Sequence, residues 1–213
     1  MNEFSAGACI RFGWETFKKR PWFFIGVAVL VCIVYGIVAG IASAFDHGAR
    51  GLGTIVNLIL SAFIGMGVTA FYLKAHDAPD TVESSELWHP QPFLNYFGAT
   101  LLSGAVIILG LILLIVPGII FSLMFFFAPY IVIDKGLGPV EAMKESVRIT
   151  KGHRWVLLGL ALLCGLVTLL GIVSLIVGVL VAIPVVSLAV VHAYRFLEKQ
   201  AGAVITLAAP AVV

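Results

Sequence analysis

The residues best able to do chemistry lie in the run EAMKESVRITKGHRW, Glu141–Trp155, the most charged stretch of a chain in which charge is rare. Lys144, Arg148, Lys151 and Arg154 could grip a phosphate or a nucleic acid. Asp134, His153 and Arg154 could act together on a polar substrate at a membrane surface. A second group, His76, Asp77, Asp80, Glu83, Glu86 and His89, is the most ligand-like set, because carboxylates at Asp80, Glu83 and Glu86 share a face if helical. It reads as a solvated acidic loop. The five histidines form no HExxH or other tight metal pair. No GxSxG nucleophile elbow and no GxGxxG or GxxxxGK[ST] phosphate cradle is present. No cofactor and no catalytic set is therefore expected.

Composition explains the rarity of charge. Of 213 residues, 61% are hydrophobic and 11% charged, and the mean hydropathy is +1.11. Soluble domains run near half apolar and a quarter charged, so an integral membrane protein is expected. A net charge of +2 argues against a nucleic-acid partner. Cys9, Cys32 and Cys164 lack CxxC spacing and read as small buried hydrophobes.

About twenty apolar residues cross a hydrocarbon core. The charge-free intervals then yield six spans in three hairpins: 22–45, 52–73, 94–116, 118–134, 155–172 and 174–194. The expected class is an all-α bundle, one domain over 1–200 with a tail at 201–213. The first span also resembles a signal peptide, with Lys18-Lys19-Arg20 before it and Ala42-Ser43-Ala44 near its end. Its length favours a retained helix. Pro117, Pro129 and Pro184 should kink or break helices. With six crossings, twelve of the thirteen Lys and Arg residues fall on one side and Arg50 alone on the other. That bias places both termini in the cytoplasm. No ionisable group sits at mid-span, which disfavours ion-coupled transport.

Superposing Trp22 on Trp155 aligns two segments, with Lys18 on Lys151, Gly26 on Gly159, Ala28 on Ala161 and Leu30 on Leu163. Each reads as a half-charged helix, a basic break, a Trp and a span, as a duplicated unit would. A weaker middle copy at Thr81–Ser103 makes three units. The helices at about 5–19 and 139–151 carry charge on one arc and apolar residues on the other. They should lie in the cytoplasmic interface with their apolar faces in lipid. Lys18, Lys19, Arg20, Trp22, Lys151, His153, Arg154 and Trp155 then become candidate contacts for anionic lipid headgroups.

The run IVPGIIFSLMFFFAPYIVIDKGLGPVEAMKESVRITKGHRW resembles the core of the glycerophosphoryl diester phosphodiesterase membrane-domain-like proteins, a broad group of bacterial multi-span proteins. Pro117-Gly118, Pro129-Tyr130, Asp134, Ala142, Ser146, Thr150 and Gly152 carry the resemblance. It implies a bacterial inner-membrane location. Some relatives fuse this region to a soluble phosphodiesterase domain; none is seen here, so that activity is not implied. The expectation is a non-enzymatic scaffold, partner-regulating or lipid-interacting module, with membrane lipids and a protein partner or second copy as its contacts. The alternative is a flippase-like carrier of lipidic or amphipathic molecules.

Overall fold

The protein is an all-α membrane bundle. The structure, a computed structural model, describes residues 5–46, 51–79, 82–83 and 93–208. Its helices are α1 (Ala6–Lys19), α2 (Pro21–Asp46), α3 (Leu52–Asp77), α4 (Phe93–Leu113), α5 (Ile115–Phe125), α6 (Ala128–Lys135), α7 (Pro139–Thr150), α8 (Arg154–Val173) and α9 (Leu175–Ala208). Six segments are long and apolar enough to cross a membrane. They pair as hairpins α2–α3, α4–α5/α6 and α8–α9.

Several expected boundaries shift. The break after α4 falls at Leu114, which is extended (φ −168°, ψ 146°), and not at Val116-Pro117. Pro117 sits in the first turn of α5, where a missing N–H costs no hydrogen bond. It therefore opens a helix and kinks none. Pro129 does mark a break, because α5 ends at Phe125 and α6 starts at Ala128 with Pro129 in its first turn. Pro184 lies inside α9, which continues through it. The helix also runs on to Ala208, so most of the expected tail is helical. Arg50 lies outside the described residues.

In a membrane, helices gain little from hiding apolar surface from each other, so close packing and polar contacts must hold the bundle. Both are concentrated at the charged end. Phe24, Phe71, Phe127, Ile131, Leu188 and Tyr194 are fully buried there, and Phe24 meets Phe71 edge-on at 6.4 Å. Toward the far end the hairpins hold mainly to themselves. Gly171 and Gly178 touch backbone to backbone across the α8–α9 turn, and a Cβ on either would strike the other. Beyond these turns, broad apolar faces such as Ile112–Val116 and Leu169–Val173 stay exposed.

The two half-charged helices do not turn their apolar faces to lipid as expected. Their apolar faces pack on the bundle. In α1, Cys9, Gly13, Thr16 and Phe17 are buried, and Gly13 presses on the Val185 carbonyl of α9 so closely that a Cβ would collide with it. In α7, Ala142, Met143, Ser146, Ile149 and Thr150 are buried. Ser146 serves the α5–α6 break: its hydroxyl donates to the Met124 carbonyl at 2.7 Å and accepts the Phe127 N–H at 3.3 Å. Backbone groups left over at a buried break need such partners. Gly13 and Ser146 occupy matching positions when Trp22 is laid on Trp155. Trp14 of α1 and Val140 of α7, apolar as they are, stay about half exposed.

Candidate functional site

The last turns of α3 and α6 meet α9 at Arg195, where the apolar run of α9 gives way to charge. Long apolar spans carry ionisable residues only near their ends. Arg195 of α9 is the hub. Its Nη2 donates to Asp77 of α3 at 2.6 Å, and its Nη1 donates to Asp134 of α6 at 2.8 Å and to Glu198 at 3.2 Å. The neighbouring Tyr194 hydroxyl donates to the same Asp134 oxygen at 2.8 Å. Lys135 bridges Glu145 of α7 at 3.0 Å and Glu198 at 3.2 Å. Arg148 closes the chain with two 2.6 Å bonds to Glu145. One guanidinium thus ties three hairpins together, and Lys135 adds α7.

Arg148 holds the Glu145 carboxyl well below its usual range, at about 2, with Lys135 adding to the effect. The network counts Arg195, Lys135 and Arg148 against Asp77, Asp134, Glu198 and Glu145. One negative charge remains if the histidines are neutral. A histidine pair abuts it: His76 Nε2 lies 3.1 Å from His192 Nδ1, and His76 Nδ1 lies 3.0 Å from Asp77. These distances suit a His192-to-His76-to-Asp77 donor chain, and a proton added to the pair would balance the network. Phe12 of α1 caps the pair, stacked on His192 at 4.0 Å. The seating of α1 and the charged network therefore meet at His192.

Asp134 is engaged by Tyr194 and Arg195, whereas His153 and Arg154 stand at the α7–α8 turn. Arg195 and Leu197 point about 200° apart on α9. Leu197 faces a second pocket, of about 380 Å³, lined by Arg148, Ile149, Lys151, His153, Leu197, Gln200 and Ala201. The expected trio of Asp134, His153 and Arg154 is therefore divided between two faces. Of the acidic loop set, His76 and Asp77 join the network; Asp80, Glu86 and His89 lie outside the described residues. No group of three metal-ligating side chains occurs among the described residues.

The other anticipated contact residues separate as well. Trp22 and Trp155 are each 85% exposed. Lys18 lies 5.9 Å over the Trp14 ring, and Lys19 is exposed at the end of α1. Arg20 turns inward, stacking on Phe23 at 4.3 Å and donating to the Pro79 and Val82 carbonyls at 3.5 Å. Cys9 and Cys164 are buried as expected, while Cys32 is exposed on α2.

Three further hollows open on the spans. One of about 350 Å³ runs beside Trp14, Val167, Gly171, Val181 and Val185. Another, about 330 Å³, lies between α3 and α4 along Leu58, Phe97 and Ala105. The third, about 460 Å³, lies in the α2–α3 hairpin beside Ser43, Asn57 and Ser61.

No known family profile matches the chain, and no solved structure matches it. The chain is similar to an uncharacterized protein of Mycobacterium bovis and to one of Mycobacterium tuberculosis. Each is 24% identical over 240 aligned positions, which cover 98% of this chain and 72% of the relative. The chain is thus a multi-pass membrane protein with relatives in mycobacteria.

Proposed function

We propose that the protein is a non-enzymatic bacterial inner-membrane module that interacts with lipid, its charged network and both termini facing the cytoplasm. The observation that carries this reading is the uneven packing. Charge pairs and aromatic rings fasten the bundle at one end, while open apolar grooves flank the spans. Acyl chains are the solvent that fills such grooves in a bilayer. The distribution of Lys and Arg supports the orientation, and the resemblance to phosphodiesterase membrane regions supports the location.

The test is lipid retention. The full chain is extracted with its native lipid shell, delipidated stepwise and weighed by native mass spectrometry. Wild type should keep a defined lipid adduct, and Val167→Trp, which fills the groove beside Trp14, should lose it. Equal retention by the variant, or no adduct on wild type, overturns the reading. A reporter fused after Val213 should be active only in the cytoplasm; periplasmic activity overturns the orientation.

A second reading, a carrier of lipidic molecules, is favoured by the groove along Val181, Ala182 and Val185 of α9. Vesicles containing the protein would then move a fluorescent lipid between leaflets faster than protein-free vesicles, and equal rates would exclude it.

A further inference from the structure

We propose that the pocket between α7, the α7–α8 turn and α9 binds a phosphate-bearing group. Its shape follows from local sequence. Gly152 has φ +88°, a left-handed conformation that non-glycine residues adopt at a cost. That turn joins α7 to α8, and Lys151 and His153 on either side of Gly152 both line the pocket. Leu197, Gln200 and Ala201, spaced three and four apart on α9, form the facing wall.

Among the described residues no carboxylate pairs with the Lys151 ammonium, in contrast to the bonded Lys135 and Arg195. Arg148 commits Nε and Nη2 to Glu145, which fixes the guanidinium and leaves Nη1 over. The α8 helix starts at Arg154 with no side-chain cap. Its N-cap residue His153 lines the pocket, which brings the positive end of the α8 dipole close to the rim.

Ammonium, guanidinium, imidazole and amide groups around one hollow are the donor set of a phosphate site. Ile149, Leu197 and Ala201 make the rest of the lining apolar. The ligand is therefore a phosphate on an organic body, supplied by a lipid headgroup or by a soluble phosphate ester. The site stands independently of the lipid-filled grooves and extends that reading to a headgroup only if the lipid source is correct.

The experiment uses the full chain in uncharged detergent and a fluorescent short-chain phosphatidylglycerol, with inorganic phosphate as competitor. Lys151→Gln should raise Kd about tenfold, the effect of one charge-assisted hydrogen bond. Lys144→Gln, on the same helix outside the pocket, should leave Kd unchanged. Both lysines are exposed, so unchanged thermal unfolding is expected for both. Competition by millimolar phosphate would identify a soluble ester as a source. Resistance to phosphate, with loss in Lys151→Gln, would identify the headgroup. Wild-type affinity in both Lys151→Gln and His153→Gln, or equal loss in Lys144→Gln, overturns the proposal. Binding that survives Val167→Trp but not Lys151→Gln supports the pocket apart from the groove; the reverse overturns the pocket and leaves the groove standing.

Discussion

Replacing Arg195 by Gln should be the most damaging single change at the charged end. Arg195 and Asp134 are 18% and 16% exposed, whereas Asp77 is 49% exposed. Removing one partner of a buried pair costs about 3–5 kcal/mol, because the other charge is left desolvated. The Tyr194 hydroxyl still serves Asp134, which favours the lower end, about 3 kcal/mol. The half-exposed pair with Asp77 adds about 0–1 kcal/mol. The expected loss is thus about 3–4 kcal/mol. It is measured by unfolding in mixed micelles of anionic and neutral detergent. Asp134→Asn in the same background should recover part of it, with a coupling of about 2 kcal/mol in a double-mutant cycle. A loss under about 0.5 kcal/mol, the scale of an ordinary surface substitution, would refute the hub role. So would strict additivity of the two changes.

Gly13→Val should unseat α1 from α9, since its side chain meets the Val185 carbonyl and not a movable group; in a Cys32→Ala, Cys164→Ala background, buried Cys9 should become reactive to maleimide. Ser146→Ala leaves the Phe127 N–H and Met124 carbonyl unserved and should cost about 1–3 kcal/mol in the same unfolding assay. The bond from Arg148 pulls the Glu145 carboxyl pKa down to about 2. Its contribution is full above pH ~4.5 and is lost as pH falls toward 2. Wild type should therefore lose stability relative to Glu145→Gln across that window, and parallel pH profiles would contradict the bond to Arg148.

The six spans were legible because crossing a membrane imposes a length and a polarity on contiguous residues. Charge-free intervals between Lys and Arg clusters locate such segments within a few positions. The hub was not legible in that way. Asp77, Asp134 and Arg195 lie more than fifty residues apart on separate helices, and each alone is an ordinary charge at a span end. Tyr194 and His192 gave no local signal either. A clue did exist: each inner helix carries a Tyr shortly before its closing charges, at Tyr72, Tyr130 and Tyr194. The periodicity of α1 and α7 suits lipid as well as a neighbouring helix, so it does not by itself say what covers their apolar faces. Gly13 and Ser146 were the discriminating residues, because a small residue in mid-face favours close backbone approach over insertion into acyl chains.

Sequence alone determined the class, the number of crossings and the segregation of charge, since these depend on local composition against a solvent of fixed thickness. Tertiary structure decided what the charges do. It drew some into a paired hub, set Lys151 at a pocket rim apart from that hub, and turned Arg20 inward onto backbone carbonyls. The reason is that the fate of a charge rests on which partner reaches it within about 3 Å, and chain order does not encode that distance.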